Sequence, residues 1–147
     1  MRFVLVDRII TLQPGVSVEA LRRIPEHEDY FQDHFPGFPV VPGVLLTEMM
    51  GQTAAKALDV ERKPRGKAML AKILSASFRR WVRPGDEVEL RAQLSSNTDR
   101  FAQAECQASV RCVPVAQAQL LFTFVPADTF APDLRDPVLD AYLASQR

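Results

Sequence analysis

Two side chains in this sequence pair proton-transfer chemistry with an unusual setting. His34 stands in the segment His34-Phe35-Pro36-Gly37-Phe38-Pro39-Val40-Val41-Pro42-Gly43, which holds three prolines and two glycines. Proline fixes φ and has no N–H to donate, so neither a regular helix nor a central strand runs through this segment. The histidine therefore sits on a stiff, shaped loop. Imidazole titrates near neutrality and is well matched to moving protons at physiological pH. Glu48 follows fourteen residues later, among Val44, Leu45, Leu46, Met49, Met50, Ala54, Ala55, Ala57 and Leu58. That run predicts a helix from about Gly43 to Asp59, apolar nearly all round and interrupted by one carboxylate. A titratable base on a rigid loop and a carboxylic acid in a buried helix are costly placements unless they are used.

The elements that must hold these residues are legible around them. Phe3 to Leu12 is apolar and β-branched, Gln13-Pro14-Gly15 marks a turn, and Val16 to Ile24 returns, which predicts a hairpin. Pro25 to Gln32 reads as a short helical or irregular lead-in to the loop. After the helix, Glu61 to Gly66 is a solvated connection, and Met69 to Val82 is a long strand ending at the turn Pro84-Gly85-Asp86. Val88, Leu90, Ala92 and Leu94 then alternate with polar residues. So do Ala102, Ala104, Cys106, Ala108, Val110 and Cys112, and after a break at Pro114 so do Ala116, Ala118, Leu120, Phe122 and Phe124. These are three half-buried strands in an antiparallel meander. Their apolar faces are mostly small until the last strand, which suits a sheet wrapped closely around a helix. The layout is α+β, with one sheet face left for another subunit.

Composition excludes several classes. The chain has 147 residues, 18 basic against 18 acidic side chains and a formal net charge of zero, which argues against a general nucleic-acid binder. It has no apolar run near the roughly 18 residues of a membrane span and no signal-peptide pattern, so a cytoplasmic location is expected. Cys106 and Cys112 lie six apart on one predicted strand, roughly 20 Å at about 3.3 Å per residue. They cannot bridge each other, and both are expected as small core residues. The reading is one domain over residues 1–126, with 127–147 a loop and short helix belonging to it.

At this point the residues carry a resemblance. The stretch His34-Phe35-Pro36-Gly37-Phe38-Pro39-Val40-Val41-Pro42-Gly43, with its step to Glu48, resembles the active-site segment of the hotdog-fold 3-hydroxyacyl-[acyl carrier protein] dehydratases of the FabA/FabZ type. The FabZ branch is closer, because Glu48 stands where the FabA branch has Asp. Phe3 to Arg8 resembles the family's opening strand, and Phe78 to Asp86 its strand-turn, so the likeness covers roughly residues 3–125. The resemblance implies a hotdog fold, in which a sheet wraps one long central helix, and a dehydratase that uses no cofactor and no metal. It implies His34 as base, Glu48 as the group that positions or protonates the leaving hydroxyl, and the Gly43 backbone N–H as the donor to the thioester oxygen. Burial should raise the pKa of Glu48 and favour its acid form. The Gly43 N–H sits at a helix start, where an unpaired donor and the positive end of the dipole meet. The family also implies a homodimer, or dimers assembled as a trimer of dimers, with His and Glu of one site coming from different subunits.

Plainer roles stand beside these. His34 is alternatively a loop histidine bonded to backbone, and Glu48 an N-terminal-turn carboxylate favoured by the helix dipole. Gln52, one turn on, is either a partner that orients Glu48 or an interface residue. Residues 62–83 carry Arg62, Lys63, Arg65, Lys67, Lys72, Arg79, Arg80 and Arg83 with no acid. They are either a solvated edge or, with the resemblance supplying an acidic acyl carrier protein, its dock at Lys72, Arg79, Arg80 and Arg83. The sequence also departs from the family. Asp33 replaces the usual Gly and either pairs with His34 or faces solvent, while Phe38 stands where a small or polar residue is usual. The rival readings are a hotdog thioesterase and a non-catalytic acyl-binding subunit paired with an active paralogue. The expected substrate is a 3-hydroxyacyl thioester of fatty-acid or related polyketide or aryl-polyene-like biosynthesis.

Overall fold

Apolar residues at most positions from Leu46 to Leu58 draw a helix into the interior, and α1 (Gly43–Asp59) spans the predicted range. The computed structural model describes residues 1–61 and 66–147. Its strands are β1 (Arg8–Gln13), β2 (Ser17–Arg23), β3 (Lys67–Phe78), β4 (Glu87–Asn97), β5 (Phe101–Val110) and β6 (Val113–Val125). They form one antiparallel sheet in the order β1-β2-β4-β5-β6-β3, and α1 touches every strand of it. This is the α+β, hotdog arrangement that the sequence implies.

Small side chains set how tightly the sheet wraps. Register places Ala92, Cys106 and Ala118 side by side across β4, β5 and β6, with Leu90, Ala108 and Ala116 in a neighbouring row. All are buried. The helix backbone approaches closely as a result, and the Cys106 Sγ lies 3.9 Å from the Met50 carbonyl oxygen. Burial pushes the Cys106 thiol up to about 12, so it behaves as a core residue.

Cys112 does not follow it inside. β5 stops at Val110, and Arg111 and Cys112 form the two-residue turn into β6, with φ of 50° and 64°. Two positive φ values fit the hairpin turn whose twist matches the flanking strands. The alternation in the sequence runs on past the real end of the strand, so Cys112 is exposed and not a core residue. The first strand is likewise shorter than expected. Residues 3–6 lie outside the ladder, where Phe3 and Leu5 bond Gln52 of α1 and Leu5 and Val6 are buried, while Asp7 still bonds β2 through Leu21.

Two ion pairs tie α1 to its surroundings. Asp59, buried, accepts from Lys67 Nζ at 2.7 Å and from the Ala68 N–H at 3.0 Å, fixing the start of β3. Lys56 Nζ lies 2.7 Å from Asp136, which also caps α2 (Pro137–Ser145) by accepting the Leu139 N–H. The Tyr142 hydroxyl accepts the Leu12 N–H at 3.2 Å. The expected C-terminal loop and short helix thus pack against β1 and α1.

Candidate active site

The loop before α1 is built from its backbone outward. The His34 N–H donates to the Tyr30 carbonyl at 2.9 Å, the Val40 N–H to the His34 carbonyl at 3.1 Å, and the Val41 N–H to the Val82 carbonyl at 2.8 Å. Within the loop, Phe35 and Phe38 exchange two backbone hydrogen bonds of 3.0 and 2.9 Å, closing a turn around Pro36 and Gly37. Gly37 has φ of 76°, a conformation that glycine adopts without steric cost. The loop is stiff because its own residues bond one another, as three prolines foretold.

The imidazole is held in a defined state. His34 Nδ1 lies 3.2 Å from the Val40 carbonyl oxygen, and since a carbonyl only accepts, this contact is a hydrogen bond in the tautomer with the proton on Nδ1. Nε2 is then the basic atom. The ring stacks on Phe35 at 3.9 Å between centroids. Asp33 is exposed, and among the described residues no ion pair joins it to His34. Of its two expected placements the structure selects the solvent-facing one.

Glu48 lies on α1 in the second turn, and the first turn carries no acid. A carboxylate placed to meet the helix dipole would sit in that first turn, so this plainer role does not fit. Gln52 is the residue that defines Glu48. Its Nε2 donates to Glu48 Oε1 at 3.2 Å and to the Phe3 carbonyl at 3.0 Å, while its Oε1 accepts the Leu5 N–H at 2.9 Å. One carboxamide therefore bonds the Glu48 carboxyl and satisfies the backbone of Phe3 and Leu5. The all-round burial expected of α1 is incomplete: Val44 is 76% exposed, and Glu48, Gln52 and Ala55 are half-buried. These positions, at intervals of three or four, form one open stripe.

Gly43 begins α1 after Pro42, and no side chain caps the helix. Among the described residues the Gly43 N–H has no acceptor, which leaves it free as a donor. A side chain here would meet the Phe78 ring, since a Cβ would lie 3.1 Å from it. Glycine lets β3 and the helix start approach closely.

The basic residues divide. Lys67 belongs to the Asp59 pair, while Arg62, Lys63 and Arg65 lie outside the described residues. Arg79, Arg80 and Arg83 line one open groove with Trp81, Asp86, Arg111 and three valines, Val110, Val113 and Val115. Lys72 is exposed further along β3 and does not line this groove. Sequence reading missed Arg111, which reaches the groove from the β5–β6 turn. It also missed that Phe38 turns onto Trp81, with centroids 5.9 Å apart at 90°, under the Arg83 guanidinium 4.7 Å from its ring. No spacing rule connects positions 38 and 81, so only the folded chain shows the pair. Among the described residues no three metal-ligating side chains cluster, and no helix is long and apolar enough to cross a membrane.

The sheet thus carries an imidazole on the loop ahead of its long helix and a carboxylate within that helix. The chain belongs to the ApeI-like family, for the ApeI dehydratase model matches residues 12–114. The 3-hydroxyacyl-[acyl-carrier-protein] dehydratase FabZ of Chloroflexus aggregans is 41% identical over 121 residues, covering 82% of this chain and 84% of that protein. The protein of the same name from Lactobacillus helveticus is 38% identical over 117 residues, covering 79% of each. Among solved structures, the dehydratase heterocomplex ApeI:P from Xenorhabdus doucetiae matches with TM-score 0.61 at 17% identity, over 78% of this chain and 96% of that one. A mutant of the fluoroacetyl-CoA-specific thioesterase FlK matches with TM-score 0.68 at 12% identity, over 93% of this chain and 98% of that one. These two share the fold.

Proposed function

We propose that this protein removes water from 3-hydroxyacyl thioesters carried by an acyl carrier protein, in fatty-acid or related biosynthesis, with His34 and Glu48 as its proton-transfer groups. The observation that carries this reading is the His34 imidazole held through Nδ1 at the Val40 carbonyl, with Nε2 left for proton transfer, in a chain of a dehydratase family. Nε2 takes the proton from C2, and the electron pair moves onto the thioester carbonyl. The Gly43 N–H donates to that oxygen as charge develops, a contribution of about 2.7–4 kcal/mol for a donor of this kind. Collapse of the enolate forms the C2–C3 double bond and expels the C3 oxygen, which Glu48 protonates so that water leaves. The proton on His34 returns to solvent and Glu48 is reprotonated, which balances the cycle. Gln52 holds the Glu48 carboxyl in place.

One site takes His34 from one subunit and Glu48 from another. Among the described residues no hydrogen bond or ion pair joins them within the chain, and the α1 stripe bearing Glu48 is open. β3 is an edge strand of 12 residues on which Met69, Leu70, Ile73, Leu74 and Phe78 are each 38–50% exposed. A long apolar edge of this kind pairs with another chain or aggregates, so a second copy docks there. The acidic carrier meets Arg79, Arg80 and Arg83, and Lys72, away from this groove, drops out of the dock.

The test is to supply a 3-hydroxyacyl carrier-protein substrate and follow products by mass. Enoyl product is expected, and its rate should fall about 10²-fold or more in His34→Ala and in Glu48→Gln, with melting temperature unchanged. Free acid as the main product would mark a thioesterase, and no turnover an acyl-binding subunit. Full activity in either variant would remove that residue from the mechanism.

A further inference from the structure

The turn that carries His34 is fixed at its ends by backbone and at its tip by a side chain. Its ends are held by the Tyr30 and Val82 carbonyls, which accept from His34 and Val41. Its tip, Phe35 to Phe38, moves as a unit because two reciprocal hydrogen bonds close it. Among the described residues, the ring contact from that tip to another element is made by Phe38. It packs edge-on against Trp81 beneath the Arg83 guanidinium. At the other end of the same closed turn, the Phe35 ring lies on the imidazole.

Burial does not explain this contact. Phe38 is 39% exposed and Trp81 68% exposed, so the pair hides little apolar surface. What the pair provides is direction: an edge-to-face ring contact and a cation over the ring face each favour one geometry. We propose that Phe38 is a positioning residue, which clamps the tip of the catalytic turn to the Trp81–Arg83 segment and so sets the orientation of His34. This rests on the proton-transfer role given to His34 above. Phe38 touches no reacting atom and acts through the rigid turn and Phe35. Arg83 also belongs to the proposed carrier-docking groove, which places the clamp between the docking surface and the base.

The protein reports on its own clamp, because Trp81 is its sole tryptophan and His34 one of two histidines. The experiment compares Phe38→Leu, Trp81→Ala, the double variant and Phe38→Tyr, using a short 3-hydroxyacyl N-acetylcysteamine thioester that needs no carrier. Phe38→Leu and Trp81→Ala should each lower kcat roughly 10- to 100-fold, as a misplaced catalytic group does, with KM and melting temperature held. The double variant should be no worse than the poorer single, because both break one contact. Phe38→Tyr, which keeps the ring, should restore kcat. By NMR the His34 ring signals should move in both single variants while those of His27 stay, and Trp81 emission should become more open to quencher in Phe38→Leu. Native kcat in Phe38→Leu, multiplicative losses in the double, or an unmoved His34 signal would each overturn the clamp. If the wild-type protein dehydrates nothing, the proposed function falls, while the NMR and fluorescence readouts still decide whether Phe38 positions His34.

Discussion

The two halves of the candidate site are finished to different degrees. The His34 turn is held within its own chain: its backbone bonds to itself, to Tyr30 and to Val82, its imidazole meets the Val40 carbonyl, and Phe35 stacks on the ring. The Glu48 half is held by Gln52 but lies on a partly exposed helix stripe, and the β3 edge, whose Phe78 meets the start of that helix, is rich in exposed apolar side chains. A rigid loop can be built by proline and local backbone bonds alone. A helix face and a sheet edge need a covering surface. In the proposed scheme the His34 half is positioned by folding, whereas the Glu48 half is enclosed by a second copy.

Changes at the assembly half should therefore act at a distance, and the largest effect is expected at the β3 edge. Ile73→Lys puts a charge on that edge, half exposed in the single chain, and should convert the assembly to monomers by light scattering. Dehydration should fall by about 10²-fold or more, since no complete site remains, although His34 and Glu48 are untouched. A monomer with full activity would show that the Glu48 half needs no partner.

A smaller effect is expected from Gln52→Ala, which probes the same contrast inside one chain. Removal leaves the buried Leu5 N–H without its acceptor and frees the Glu48 carboxyl. Stability to denaturant should fall by about 1–3 kcal/mol, the scale of an unsatisfied buried donor. The loss of kcat should be roughly tenfold, smaller than for Glu48→Gln because the acid itself remains. The His34 NMR signals should not move, since the other half is self-sufficient. A moved His34 signal would mean that the two halves are coupled within the chain.

Much of this was legible in the sequence, for reasons that differ between elements. The α1 range was visible because an apolar run opens after a Pro-Gly pair and closes at a polar residue. The Pro84-Gly85 turn was visible because Gly85 has φ of 83°, as a turn with glycine in its third position requires. The three alternating strands were visible because a half-buried sheet writes its two faces at every second residue. Alternation misled at Cys112, where the pattern continues through a turn that lacks glycine. The apolar, β-branched composition misled at Phe3 to Val6, where Gln52, more than forty residues away, supplies partners to Phe3 and Leu5 that a sheet would otherwise give. The near-complete burial read for α1 failed for a related reason. Hydrophobic residues such as Val44 mark surfaces to be covered, without saying whether the same chain covers them.

A site shared between subunits can be tested by mixing two inactive chains. His34→Ala and Glu48→Gln are unfolded together and refolded so that mixed dimers form. In a mixed dimer one site receives both altered residues. The other receives native His34 from the Glu48→Gln chain and native Glu48 from the His34→Ala chain. Random pairing makes about half the dimers mixed, each with one working site, so roughly a quarter of wild-type activity should return. If both residues served a site within one chain, every site would lack one of them, and the refolded mixture would be as inactive as its parents.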